Sequence, residues 1–324
     1  MAEPTGAGQR NAHAAPPSVL RDVYKYYQKI EPESVDREPD IVDFVRGITD
    51  EHWATIHHDG DVSAEVIVSS CGTVIDETST IIQDLKDRPR YRSSTIPGLY
   101  IYPSLLPPTA QLALLSRLLH RDLSNPQHKT NVHLHYDIRY PHNAAHYAEE
   151  VNPIYREQGM SATKPTIARP SFFTQDPTTP DICQRKPPSG PQSLSAAAFL
   201  AKKLRWMTLG YQYDWTQKVY PDETPPPFPP DLVHLLQGLF PEMSPQAAIV
   251  NLYSPGDTLG LHRDVSEQCH RGLISASLGC DALFVAGLEQ PDGRPTYMVL
   301  RLRSGDVVYM TGAARLARNA TRTW

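Results

Sequence analysis

Asn251-Leu252-Tyr253-Ser254-Pro255-Gly256-Asp257-Thr258-Leu259-Gly260-Leu261-His262-Arg263-Asp264 is the stretch on which the fold of this chain turns. It lies in an array of short β-rich runs at 248–253, 273–278, 283–286, 297–302 and 306–310, divided by Ser-Pro-Gly-Asp, Gly-Cys-Asp, Pro-Asp-Gly-Arg and Arg-Ser-Gly turn signals. Short strands at near-regular spacing predict a barrel or a jelly roll. His262 and Asp264 stand two residues apart, so in extended chain they point to one face. An imidazole nitrogen and a carboxylate oxygen placed there can grip one metal ion. They are two members of the facial set of two histidines and one carboxylate, which leaves neighbouring positions open on iron(II).

Upstream, a proline run over 224–230 breaks the chain before Asp231, which reads as the N-cap of a helix carrying Leu232, Leu235, Leu236 and Leu239. The stretch 193–209 has helical spacing, with Phe199, Leu204 and Trp206 set apart from Lys202, Lys203 and Arg205 on a solvated cationic face. Residues 141–192 carry prolines at 141, 153, 165, 170, 177, 180, 187, 188 and 191, so regular ladders cannot run throughout and a long surface insertion is expected. Just before it, His133-Leu134-His135 would set two imidazoles on one strand face, where a hydrogen-bonded structural role is preferred to metal binding. Residues 111–123 read as an amphipathic helix and 99–102 as a strand, so an ordered domain begins at 97. Val19, Leu20, Val23, Tyr24 and Tyr27 recur at helical spacing over 18–30, with Ser18 as N-cap, and residues 1–17 are expected to be disordered. Within the mixed stretch 43–92, His52, His57 and His58 read as part of a solvated loop.

Composition narrows the function classes. With 31 Lys and Arg against 36 Asp and Glu, the formal charge is −5, which excludes a protein coated in basic charge and confines any nucleic-acid contact to a local patch. The four cysteines, Cys71, Cys183, Cys269 and Cys280, show no CxxC spacing and read as free thiols of a reducing compartment. No window approaches the ~18 consecutive apolar residues of a membrane helix, and the first residues lack an apolar signal region. A soluble protein of the cytoplasm and/or nucleus, with no membrane partner, is the expectation.

Asn251-x-Tyr253, the Pro255-Gly256 turn, His262-x-Asp264 and Ser275-x-Ser277-Leu278-Gly279 together resemble the AlkB-like family of iron(II)/2-oxoglutarate-dependent dioxygenases. Stretches 99–140, 203–220 and 225–287 are similar to the branch grouped with AlkB homologue one. The resemblance implies a mainly β fold with α additions, in which a double-stranded β-helix, or jelly roll, is preceded by helical N-terminal elements and a nucleotide-recognition lid. The division it implies is an N-terminal extension over 1–96, the dioxygenase domain over 97–316 with its insertion at about 141–192, and an aberrant tail over 317–324. His262 and Asp264 match the first two iron ligands, and Asn251 and Tyr253 match donors to 2-oxoglutarate, a role that suits a neutral amide and a phenol. Trp206, Tyr213 and Trp215 resemble the aromatic segment bordering the substrate base, which an aromatic face can stack. The activity implied is oxidative demethylation of N-methylated nucleobases, methyladenine in RNA or DNA foremost and mRNA or tRNA among the partners, yielding succinate, CO2 and formaldehyde.

The resemblance fails after Ser304-Gly305-Asp306-Val307-Val308-Tyr309-Met310-Thr311-Gly312. Relatives place a second histidine ligand a few residues past the position of Arg315, and the residue that aligns here is Asn319; no histidine follows His270. Arg315, Arg318 and Arg322 are the cations at hand to anchor a cosubstrate. The alternating pattern stops near 316, which implies a C-terminally incomplete domain. A catalytically impaired nucleic-acid-binding or regulatory relative is the rival reading. A scaffold acting through the proline segments 186–191 and 225–230 is the third.

Overall fold

The computed structural model describes residues 15–75, 85–141, 170–187, 193–212, 224–264, 271–290 and 293–324. Among them the strands in chain order are β1 (Ile41–Val42), β2 (Ile56–Val62), β3 (Arg88–Ser93), β4 (Leu99–Tyr102), β5 (Tyr136–Ile138), β6 (Cys183–Arg185), β7 (Ser193–Leu194), β8 (Trp206–Gly210), β9 (Ala247–Asn251), β10 (Thr258–His262), β11 (Leu273–Ala276), β12 (Ala282–Glu289), β13 (Pro295–Leu302), β14 (Val307–Met310) and β15 (Arg318–Thr323). The fold is mainly β with added helices. Two compact units divide the chain, one of Met1–Ser69, Thr78–Gln111 and Tyr253–Trp324, the other of Ser70–Glu77 and Leu112–Leu252.

The first unit holds two five-stranded sheets, ordered β1-β13-β12-β15-β10 and β11-β14-β4-β3-β2. Period-two alternation along β12 and β13 explains its layering. Phe284, Ala286, Met298, Leu300 and Leu302 face inward onto Leu99, Ile101, Val308 and Met310 of the second sheet. The intervening Leu283, Val285 and Val299 face the other way, onto Tyr27 and Ile30. That second face is covered by the helix Ser18–Lys29, which buries Leu20 and Tyr27. Pro17, not Ser18, is its N-cap: Pro17 is extended, and no side chain caps the helix.

Two further sequence expectations change in this unit. Residues 56–62 form strand β2 rather than a solvated loop, because antiparallel pairing with β3 takes up the backbone groups of His57 and His58. His58 Nε2 lies 2.9 Å from Asp61 Oδ1, a bond that needs no metal. The tail that pattern reading sets apart contains β15, paired along its whole length with β12 and also with β10. A strand flanked on both sides has its backbone hydrogen bonds supplied by its neighbours, so it forms without strict apolar alternation.

The second unit contains the sheets β5-β6-β7 and β8-β9. His133 stands in a 3-10 turn, Asn131–Leu134, not in a strand. Its Nδ1 accepts from the Thr130 backbone N–H at 2.8 Å, and its Nε2 lies 3.0 Å from the Tyr140 hydroxyl. Both ring nitrogens are therefore in local bonds, and burial foremost pushes its pKa down to about 4. The stretch read as one helix over 193–209 divides into β7, a helical turn over 196–203 and β8. Trp206 thus lies on a strand, because β8 pairs with β9 through the register Trp206↔Asn251. The helix Pro230–Leu239 starts at Pro229 as N-cap. Asp231, within the first turn, instead receives the guanidinium of Arg121 at 2.7 Å and of Arg117 at 3.2 Å. Of the expected insertion, 142–169 and 188–192 lie outside the described residues, while 183–185 form β6 and Phe172 packs edge-on against Phe199 at 4.9 Å.

Candidate metal centre

β10 is an edge strand, and one irregularity in it aims the site. Its register with β15 runs Thr258↔Arg322 and Leu259↔Thr321, then shifts by one residue to His262↔Asn319. This bulge puts two residues of β10 opposite one of β15. A one-residue slip exchanges the two faces of a strand. Leu261 therefore packs on the helix-covered face with Ala320. His262 instead comes opposite Asn319, whose neighbour across β12 is Ala286 of the inter-sheet core.

His262 Nδ1 lies 2.8 Å from the Gly260 carbonyl, which can only accept, so Nδ1 carries the proton. Its Nε2 stands 3.5 Å from Asp264 Oδ1, with about a third of each side chain exposed. The other carboxylate oxygen, Asp264 Oδ2, accepts from Asn319 Nδ2 at 2.9 Å. Arg315 donates to the Asp264 backbone carbonyl. Burial alone would raise the Asp264 carboxyl, but the His262 bond and charge, the Asn319 amide and the Arg315 charge outweigh it and hold the group below the usual carboxylate range. Burial likewise disfavours imidazolium, yet the Asp264 bond and charge and the Gly260 and Asn319 carbonyls leave His262 raised. The two side chains are thus paired with each other. A metal ion would replace the proton at Nε2, as ligation by histidine requires.

Tyr253, in the same unit, has its hydroxyl bonded to Thr321 of β15, and burial foremost pushes its pKa up to about 12. It remains a neutral O–H donor throughout the physiological range. Arg318 and Arg322 do not reach this side. Arg318, 2 % exposed, binds Glu289 Oε1 at 3.0 Å, and Arg322 donates to the carbonyls of Tyr27 and Gln28 on the helix-covered face. Neither is placed as a cosubstrate anchor. Asn251 and Trp206 lie opposite one another in the β8–β9 ladder of the second unit. Tyr213 and Trp215 lie outside the described residues.

Among the described residues no third His, Cys, Asp or Glu joins His262 and Asp264. The donor set therefore fits a divalent cation with an imidazole and a carboxylate, and the neighbouring side chain is the Asn319 amide. Sequence reading finds Asn319 only as a position of alignment. The bulge and the Asn319–Asp264 bond have no sequence signal.

The 2OG-Fe(II) oxygenase superfamily matches residues 171–320 of the chain. The chain is 38% identical over 320 residues to the N6-methyladenosine RNA demethylase ALKB1 of Pyricularia oryzae, spanning 95% of this chain and 84% of that protein. It is 44% identical over 196 residues to the N6-methyladenosine RNA demethylase ALKBH of Cryphonectria parasitica, covering 57% of this chain and 79% of that one. It is 34% identical over 235 residues to the tRNA demethylase abh1 of Schizosaccharomyces pombe, covering 69% and 67%. The chain belongs to the AlkB-like 2OG-Fe(II) oxygenases. An AlkB-like oxygenase requires iron(II) and 2-oxoglutarate by its family. In this AlkB-like chain the His262-x-Asp264 pair falls inside the matched region and lies against the inter-sheet core.

Proposed function

We propose that the chain is an iron(II)- and 2-oxoglutarate-dependent demethylase of N-methylated nucleobases in RNA or DNA, with methyladenine as its foremost substrate. The single observation that carries this reading is the His262–Asp264 pair, turned inward by the β10 bulge with Nε2 and Oδ1 3.5 Å apart. The names of the relatives, two N6-methyladenosine RNA demethylases and a tRNA demethylase, support the substrate class. On this reading the two sheets of the first unit are the double-stranded β-helix of the family. The lid, and base stacking by Trp206, Tyr213 and Trp215, rest on the sequence resemblance, and so does the assignment of Asn251 to 2-oxoglutarate. Cytoplasm and/or nucleus is the proposed location.

His262 and Asp264 would hold the metal. When bound, iron(II) supplies dioxygen activation coupled to decarboxylation of 2-oxoglutarate, and hydroxylation of the N-methyl group ends in loss of formaldehyde. The protein's share is positioning. The Gly260 carbonyl fixes the His262 ring by its Nδ1 proton, leaving the Nε2 lone pair for a ligand. The Asn319 amide holds Asp264 Oδ2, so that Oδ1 is the oxygen presented. Tyr253, kept protonated, would donate its hydroxyl hydrogen to a 2-oxoglutarate carboxylate.

The test is to supply the purified chain with iron(II), ascorbate, 2-oxoglutarate and an oligoribonucleotide containing N6-methyladenosine, and to quantify succinate and formaldehyde. Substrate-dependent succinate with matching formaldehyde is expected, and both disappear in His262→Ala and Asp264→Ala. Binding of the methylated strand with neither product would overturn the reading in favour of a catalytically impaired binding protein. The observation favouring that rival is the amide at 319.

A further inference from the structure

We infer that Asn319 is the third protein ligand of the metal centre, its carboxamide oxygen standing where an imidazole would complete the set. The inference rests on the reading that His262 and Asp264 hold a metal. Three observations bring the amide to that position. The β10 bulge makes Asn319 the cross-strand partner of His262. The strand parity that sends Ala320 to the helix-covered face sends Asn319 to the inter-sheet side, together with its other partner Ala286. The Asn319 side chain, in a residue 6 % exposed, reaches the Asp264 carboxylate at 2.9 Å, and the opposite oxygen of that carboxylate faces His262 Nε2. The amide meets Asp264 through its Nδ2, the carboxylate meets His262 through Oδ1, and the carboxamide oxygen of Asn319 is the further neutral donor this cluster offers.

An amide offers a neutral, hard oxygen donor. Exchanging imidazole for carbonyl oxygen weakens binding of nitrogen-seeking ions such as Co2+ and Ni2+ more than that of Mn2+, which accepts oxygen ligands readily. The chain should therefore hold Mn2+ and Fe2+ with reduced affinity and discriminate weakly between Mn2+ and Co2+. The Asp264 bond gives the amide a resting partner in the metal-free protein. The terminal side-chain torsion is soft, so the oxygen can be brought to the cation with Nδ2 kept on Asp264 Oδ2.

The experiment measures metal binding, not turnover. Mn2+ is titrated into the full chain and followed by the electron paramagnetic resonance signal of the free ion, and Co2+ is titrated by its visible absorption. Wild type, Asn319→Ala, Asn319→His, Asn319→Asp and His262→Ala are compared, each checked by circular dichroism for a native melt. Removing a ligand should weaken Mn2+ binding in Asn319→Ala by about tenfold or more. Asn319→His should tighten Co2+ by a larger factor than Mn2+, and its Co2+ spectrum should gain nitrogen-ligand character. Asn319→Asp keeps the shape of the side chain and should tighten Mn2+. Equal Mn2+ and Co2+ affinities in wild type, Asn319→Ala and Asn319→His, with binding lost in His262→Ala, would overturn the third-ligand assignment alone. Metal binding unchanged in His262→Ala would overturn the underlying metal-site reading itself.

Discussion

Asp43 offers a quantitative test of the first unit. It follows β1, whose parallel pairing with β13 brings its carboxylate beside the arginines of that strand's end. Arg303 grips it through both terminal nitrogens, Nη2 at 2.8 Å from Oδ2, and Arg301 Nη1 lies 3.4 Å from Oδ2. The backbone N–H groups of Val45 and Arg46 donate to Oδ1 at 2.9 and 3.0 Å. Asp43 is 1 % exposed. Burial pushes its carboxyl up, but the Arg303 bond, the Arg46 and Val45 N–H groups and the Arg303 charge together bring it from 3.8 down to about 2. That difference corresponds to about 2 kcal/mol of stability at neutral pH. Asn at 43 keeps an acceptor for the two backbone N–H groups and loses the charge, so Asp43→Asn should cost about 2 kcal/mol and lower the melting temperature by roughly 4 to 8 °C.

The pH dependence distinguishes this account from simple loss of packing. Because the folded carboxyl titrates below the unfolded one, its contribution is complete above about pH 4 and is lost as the pH falls from there toward about 2. Urea unfolding of wild type and Asp43→Asn, followed by circular dichroism at several pH values, is the assay. The deficit of the variant should shrink to about a third of its neutral value near pH 2.5. A deficit that stays constant from pH 7 to pH 2.5, or one below about 0.5 kcal/mol at pH 7, would refute the reasoning.

Other outcomes follow from single sites. Gly98 has φ +89°, and a Cβ there would stand 2.0 Å from the Thr311 carbonyl oxygen, so Gly98→Ala should cost at least about 2 kcal/mol in a chemical melt. Cys71 and Cys183 are buried, with burial pushing their thiols up to about 11 and about 12, whereas Cys280 is exposed. Disulfide-exchange labelling mapped by peptide mass should therefore modify Cys280 in the native protein and reach Cys71 and Cys183 only on unfolding. Tyr253→Phe removes a protonated hydroxyl bonded to Thr321 and should raise the KM for 2-oxoglutarate about tenfold, with a melting temperature within about 2 °C of wild type. An unchanged KM would remove Tyr253 from the cosubstrate site.

The chain sequence by itself determined the β-rich array, the helix over 18–29 and the His262-x-Asp264 pair, because these are encoded in spacings of two and of three to four residues. β12, Ala282–Glu289, reads as a near-continuous apolar run, and both of its faces meet apolar neighbours. Only the tertiary structure decided which face of β10 the histidine takes. Alternation cannot register a bulge, and one inserted residue reverses every assignment beyond it. The same holds for the tail: β15 carries arginines and an asparagine that read as the end of the pattern, yet pairing with β12 and β10 makes it a strand. Trp206 and His133 were placed by long-range pairing and by a local cap, against helical and strand-like spacing respectively. Asn319 shows the difference most plainly. In the sequence it is a missing histidine, while in the fold it is a buried amide bonded to Asp264, because cross-strand neighbours are chosen by register and not by proximity along the chain.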